Sequence, residues 1–408
     1  MTVDIAEQLV RFHDAARLNM FFRARLVSCG LHVDTIKIVR VQHRPKAGVT
    51  GLYRVHGTDT RGENFEHHYG LTTEQLRAEE RHDVLPTSYA GINVQVWRHP
   101  VDPRLPGLAL AADPGLLAAL WPERFAGAPL KLSWETYRPL RRAVLRVNGG
   151  GQTAFMKVLT PRRARRLIQI HKIVDASPFP AARLLGEPKA GILPLSPLPG
   201  RPLTDYLYHE DPSALLAQLP GHSWVQLLDA LPTELLQVKP RPAWSDGLNA
   251  YTRSAAAAFP ELAPRLRKIR KHIRQGLPAT DRGPLVPVHG DFYEANVFLT
   301  REKDGALSVS GLLDLDNLGP GHRVDDLACM LGHLAVLPSV HARYRKLRPL
   351  VDAWWEDFAA TVDPAALRLR ASAVALSLIA GALRAPQQQA QQVARQRLQC
   401  VEQILERK

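Results

Sequence analysis

The pattern of apolar and polar positions changes character several times along this 408-residue chain. Residues 1–30 read as helical. From Thr35 the pattern becomes β-like, with runs at Ile36–Val41, Gly51–Val55 and Asn64–Tyr69 separated by turn residues. Asp113-Pro114 predicts an N-cap followed by proline at the first helical position, opening a helix to about Leu120. A second β-like region follows, with strands over Leu130–Tyr137, Ala143–Val147 and Thr153–Leu159. Asn148-Gly149-Gly150-Gly151 predicts a hairpin between the last two.

The two β regions resemble a degenerate internal repeat. His43-Arg44-Pro45-Lys46 and Leu52–Val55 match Tyr137-Arg138-Pro139-Leu140 and Val144–Val147 in order. A helix is expected from Arg162 to Asp175, and the proline- and leucine-rich Leu193–Leu203 reads as a connector. Asp211-Pro212 starts another helix, and from there the chain reads as mainly helical, with one β-rich interruption from Val286 to Leu315. Ala371–Leu383 is the longest apolar run and is bracketed by Arg370 and Arg384. It is too short to span a bilayer and reads as a buried helix. Gln387–Gln399 keeps Val393, Leu398, Val401 and Leu405 near helical spacing and is expected to be a packed terminal helix.

Composition is that of an ordinary globular protein, with 45% hydrophobic and 23% charged residues. The net charge of +14 favours acidic partners. Basic residues cluster in Pro161–Arg166 and Arg265–Arg274. In the second cluster Leu262, Leu266, Ile269 and Ile273 form an apolar stripe, so the cations read as a solvated outer face. Neither cluster interleaves aromatic residues, which argues against nucleic-acid binding. The three cysteines, Cys29, Cys329 and Cys400, form no metal or redox spacing. Together with an N-terminus that lacks a signal-peptide pattern, this predicts a cytoplasmic protein without a membrane partner.

The chemistry concentrates in one segment. The apolar run Pro284–Val288 leads into His289-Gly290-Asp291-Phe292-Tyr293-Glu294-Ala295-Asn296, with an acid and an amide five residues apart. Past a further apolar run comes Gly311-Leu312-Leu313-Asp314-Leu315-Asp316-Asn317. Strands pairing as a hairpin would carry Asp291, Asn296 and Asp314 to one end of a sheet. Such a set suits phosphoryl transfer, which needs an acid to orient a hydroxyl and accept its proton, and a few hard oxygen ligands for Mg²⁺.

These elements resemble the signature of the aminoglycoside phosphotransferase and choline kinase superfamily, most closely over about residues 130–335. The resemblance implies an α+β, protein-kinase-like bilobal fold, with a mixed β N-lobe, a mainly helical C-lobe and an extra N-terminal α/β region. The corresponding division is 1–125 as a cap or support, 126–195 as the nucleotide-binding lobe and 196–408 as the catalytic lobe. Asp291 would be the catalytic base, Asn296 and Asp314 the Mg²⁺ ligands, and Asp316 an accessory acid near the metal. His289 and Asp326, the latter in Val324-Asp325-Asp326-Leu327-Ala328, would support the loop. Lys157 would reach the α/β-phosphates of ATP, and Arg141 and Arg142 would lie in the phosphate loop. Leu195, Ser196 and Leu198 would border the adenine.

Two features depart from the pattern. The helix after Lys157 has no acid before Asp175, and no Gly-x-Gly-x-x-Gly loop is present. In the first β region His68 stands where the lysine would be. The expected activity is transfer of the γ-phosphate of ATP to a small-molecule hydroxyl, and the charge favours a neutral or acidic acceptor over a polycation. A nucleotide-binding pseudokinase and a Ser/Thr kinase acting on a peptide or protein partner remain as alternatives.

Overall fold

Asp14 opens the helix Ala15–Leu26 by accepting the Arg17 N–H at 3.0 Å. Leu18, Phe22 and Leu26, spaced by four, are its buried stripe. Together with Phe12, from the helix Ile5–Phe12, they cover one face of an antiparallel sheet. Its strands are β1 (Leu31–Arg44), β2 (Gly48–Asp59), β3 (Asn64–Thr72), β4 (Leu85–Tyr89) and β5 (Ile92–Arg98), in the order β1-β2-β3-β5-β4. The computed structural model describes residues 4–44, 47–125, 127 and 129–407. Pro45 and Lys46 of the compared repeat segments therefore lie outside the described residues. β1 is longer than its alternation predicts, because irregularities at Val33/Thr35 and Ile38/Arg40 reset the side-chain period.

A second antiparallel sheet is built from β6 (Lys131–Arg138), β7 (Arg142–Gly149), β8 (Gln152–Leu159) and β9 (Ile192–Leu195), in that order. Gly150 and Gly151, at φ 58° and 73°, form the two-residue turn between the paired Gly149 and Gln152. Two successive positive φ values are what such a hairpin requires. The glycines are thus committed to the turn. The short helices Leu108–Ala112, Pro114–Leu120 and Pro122–Phe125 share one core with this sheet. Leu108, Leu117, Trp121 and Phe125 meet Leu145, Val147, Met156 and Val158 there. Asp113 caps the second of these helices by accepting the Leu116 N–H at 2.9 Å.

The segment read as a connector from Leu193 begins instead as strand β9, with Leu193 opposite Lys157 and Pro194 opposite Met156. β9 is a sheet edge, where a proline's missing N–H is tolerated. The helix after β8 spans Pro161–Asp175. The chain divides into two compact units, Met1–Ile168 with Leu184–Pro197, and Gln169–Arg183 with Leu198–Lys408.

The second unit is mainly helical. Its helix Ala263–Gly276 buries Leu266, Ile269 and Ile273 and leaves its cations outward. The apolar run from Ala371 is divided between the helix Pro364–Ser377 and a 3-10 segment, Ile379–Arg384. Among the described residues Pro364–Arg384 is the one stretch long and apolar enough to cross a membrane, and 67% of its most apolar window is buried within the protein. The helix Arg323–Val336 approaches it closely at Gly332, where a Cβ would lie 2.8 Å from the Ala371 carbonyl oxygen. The Gln-rich stretch forms the terminal helix Gln387–Glu406 and buries Ala394, Leu398 and Val401.

Candidate active site

The remaining strands place the chemistry. β10 (Arg201–Pro202) flanks β12 (Val297–Arg301), which pairs antiparallel with β13 (Leu307–Leu312). β11 (Leu285–Val288) pairs instead with β14 (Gly319–His322), in a separate two-stranded ladder. Val297 faces Leu312 at the end of the β12–β13 hairpin, and the ladder is prolonged by the Leu313 N–H donating to the Asn296 carbonyl at 2.8 Å. Asn296 therefore enters this hairpin where Asp314 leaves it. The loop from β11 to β12 carries Asp291.

Within that loop the Asn296 side-chain Nδ2–H donates to the Asp291 carbonyl at 2.9 Å. Asn296 is 6% exposed. Using its nitrogen inside the loop leaves its amide oxygen, a hard ligand, on the opposite side. Asp314 adopts left-handed φ 59° and ψ 53°. A non-glycine residue held there stores of order 1 kcal/mol and marks a functional candidate. Asp316 follows in the 3-10 turn Leu315–Asn317. Gly290 is also left-handed, at φ 75°, and a Cβ there would lie 2.9 Å from the Asn317 Cβ. The loop and the 315–317 turn touch at this point, and only glycine fits.

Asp326 organises the loop from below. Its Oδ2 accepts the His289 N–H and its Oδ1 the Gly290 N–H, both at 2.7 Å. The carboxylate is 0% exposed. Burial pushes its carboxyl up, opposed by His289, Arg323 and the two backbone donors. Arg323 Nη1 stands 3.8 Å away and donates to the Pro287 carbonyl at 3.2 Å. The buried His289 ring places Nε2 2.9 Å from the Leu313 carbonyl, which requires the proton on Nε2. His289 thus ties the loop to the Asp314 strand end.

Three further groups bear on the base: the Glu294 carboxyl, the Tyr293 phenol and the Trp244 indole. Glu294 is 4% exposed and its Oε2 accepts no hydrogen bond. Burial, with the Asp291 charge, pushes its carboxyl up to about 7. Burial raises the Tyr293 phenol, and the charges of Asp291, Glu294 and Asp314 push it the same way. Trp244 Nε1–H donates to Asp291 Oδ1 at 3.1 Å. The HGD loop gives a visible cue for Glu294 and Tyr293, which belong to it. Trp244 lies 47 residues upstream and has none.

A model of the phosphotransferase enzyme family matches residues 136–369, more than half of the chain, including all of these acids. The chain belongs to this family. Among curated proteins none matches. Among solved structures it is similar to an aminoglycoside-3'-phosphotransferase of type VIII at 20% identity, covering 64% of this chain and 97% of that one, with a TM-score of 0.42. A choline kinase from Cryptosporidium parvum Iowa II is 10% identical over 72% of this chain and 95% of its own, with a TM-score of 0.46. The aminoglycoside phosphotransferase APH(4)-Ia is 13% identical over 71% and 97%, with a TM-score of 0.47. A thermostable mutant of that enzyme is known in ternary complex with ADP and hygromycin B.

In this phosphotransferase the expected nucleotide residues are distributed as follows. Lys157 lies on β8, an interior strand, opposite Val144 and Leu193, and is 7% exposed. A buried ammonium on an interior strand is not the edge-strand lysine that would simply reach solvent. Arg141 and Arg142 sit at the β6–β7 turn, where the Arg141 N–H donates to the Arg138 carbonyl at 3.0 Å. Buried Asp102 holds that turn, because its Oδ2 accepts the Leu140 N–H and the Tyr137 hydroxyl, each at 2.8 Å. Leu195 ends β9 opposite Phe155, and Ser196 follows it. Leu198 lies over Gly311 of β13, and Ser310 Oγ donates to the Pro199 carbonyl at 2.6 Å. Asp175, the acid nearest the expected lysine partner in sequence, ends its helix beside Arg183, at 3.6 Å.

Proposed function

We propose that this family member transfers the γ-phosphoryl group of ATP to a hydroxyl of a small molecule. The observation that carries the reading is the junction of Asp291, Asn296 and Asp314 at one end of the β12–β13 hairpin, tied together by the Asn296 amide and the Leu313 N–H.

In this reading Asp291 receives the acceptor hydroxyl's proton as its oxygen attacks the γ-phosphorus, and the bond from phosphorus to the ADP oxygen breaks. Asn296 and Asp314 would hold Mg²⁺, with Asp316 as an accessory acid near it. Among the described residues no three His, Cys, Asp or Glu side chains converge into a closed metal cage. One amide and one or two carboxylates nevertheless fit Mg²⁺, which keeps several waters and shares its shell with phosphate oxygens. When bound, the ion neutralises charge on those oxygens. Asp326 and His289 keep the loop backbone in place. Lys157 binds nucleotide phosphate, Arg141 and Arg142 flank it, and the backbone of Leu195, Ser196 and Leu198 borders the base. The +14 net charge favours a neutral or acidic acceptor. Residues 1–125 support the nucleotide-binding lobe, through Asp102 and the shared core of the short helices.

Incubation with γ-labelled ATP, Mg²⁺ and a metabolite pool tests this reading. A labelled small molecule is expected. Label on polypeptide, or no transfer from ATP with nucleotide still bound, would replace it by the peptide-kinase or pseudokinase reading.

A further inference from the structure

We propose that Trp244 is a positioning residue for the base, its indole N–H fixing one oxygen of the Asp291 carboxylate while the Asp325–Arg370 ion pair fixes the indole. The proposal rests on the assignment of Asp291 as the base.

A carboxylate rotates broadly about its last torsion, so an aspartate held only by its backbone samples many oxygen positions. A general base must keep an oxygen within about 2.6–3.2 Å of the oxygen that bears the proton it takes. The Trp244 Nε1–H bond to Oδ1, at 3.1 Å, restricts that rotation directly. Indole N–H is a donor only. It therefore orients the carboxylate without competing for the acceptor's proton.

The segment bearing Trp244 is itself anchored. It forms the 3-10 turn Trp244–Gly247, closed by the Ala243 N–H donating to Asp246 Oδ2 at 2.9 Å. Ser245 Oγ donates to Asp325 Oδ1 at 3.1 Å. Arg370 Nη1 reaches both Ser245 Oγ at 2.8 Å and Asp325 Oδ1 at 2.9 Å. Arg282 adds a contact to Asp325 Oδ2 at 3.3 Å. Arg370 is 3% exposed, inside a core helix. A guanidinium so buried is tolerated only with its partners in place, so the ion pair holds the turn in one position. Asp325 adjoins Asp326, whose carboxylate holds the loop bearing the base.

Trp244 also packs near Tyr251, with ring centroids 5.8 Å apart, so deleting the ring would confound packing with donation. The test therefore replaces Trp244 with β-(3-benzothienyl)alanine, which keeps the shape and puts sulfur in place of N–H. For MgATP turnover in the full-length protein, kcat should fall roughly 10- to 100-fold, with KM for ATP and Tm unchanged. Unchanged kcat would overturn the proposal. A second measurement needs no turnover. With ¹⁵N-indole labelling of the seven tryptophans, the resonance absent in Trp244→Phe should move upfield in Asp291→Asn, where a charged acceptor becomes neutral, while the other six hold. If that resonance stays in place, the proposal fails. A wild-type protein that does not turn over ATP refutes the phosphotransfer reading instead, and the indole resonance still decides this one.

Discussion

The Asp326 carboxylate and the His289 backbone N–H are joined at 2.7 Å, although 36 residues separate Asp326 from Gly290, whose N–H takes the other oxygen. Asp326→Ala would leave the buried His289 N–H and the half-buried Gly290 N–H unpaired. Each costs about 1–3 kcal/mol, so unfolding in urea should show a loss of at least about 2 kcal/mol. Asp326→Asn, with one amide oxygen left, should fall between the two. A wild-type midpoint for Asp326→Ala would contradict this bracing role.

Asp291→Asn should reduce phosphoryl transfer about 10²–10⁴-fold while nucleotide binding persists. Its side chain meets Trp244, and its backbone meets Asn296. Steady-state turnover and calorimetric titration with an ATP analogue measure the two effects separately. Near-wild-type turnover would remove Asp291 from the mechanism.

Asp314→Ala should abolish the Mg²⁺-dependent part of nucleotide affinity. Wild-type affinity should fall on chelation with EDTA, and the variant should be indifferent to it. Equal wild-type affinity with Mg²⁺ and with EDTA would remove the metal from nucleotide binding, and an Asp314→Ala protein that still lost affinity in EDTA would mean that the metal is held elsewhere.

Acid should destabilise the fold through two histidines. Burial, aided by His68, lowers His99 from 6.5 to about 4, and burial, aided by Arg397, lowers His333 to about 4. Between those values the unfolded chain protonates both histidines and the folded chain does not, so their contribution lowers stability as pH drops from about 6.5 toward 4, while Glu294, raised to about 7, works in the opposite sense. Each histidine should account for roughly 2 kcal/mol between pH 7.5 and 5. His99→Phe and His333→Phe should flatten that dependence in denaturant titrations at the two pH values, and an unchanged slope would contradict it.

Deleting residues 1–125 should cost solubility or stability. The deletion strips Leu108, Leu117, Trp121 and Phe125 from Leu145, Val147, Met156 and Val158, and removes Asp102 from the β6–β7 turn. The isolated 1–125 fragment should bind no ATP. A soluble, equally stable and fully active 126–408 protein would show that the region is independent.

The acid–amide spacing of the loop, the hairpin glycines and the Asp113 cap were legible in the sequence, because each is a local rule with a fixed offset. Other features were not. β11 joins β14 instead of the hairpin that carries Asn296, and nothing in its four residues encodes that choice. β9 hid in a proline-rich run because an edge strand tolerates proline. Glu294 lies within the motif, but its burial comes from the surrounding fold. Trp244 and Arg370 find their partners 47 and 45 residues away, at separations no periodicity marks.

The doublet Asp325-Asp326 has a mechanical consequence. Consecutive residues on a helix point about 100° apart, so one rigid turn can grip two different loops. A one-residue insertion or deletion just before Asp325 would rotate both grips together and misalign the base and its indole in a single step. Substitutions at either position would disturb one loop at a time. Length variation should therefore be far less tolerated here than in the exposed Asp304-Gly305 turn between β12 and β13.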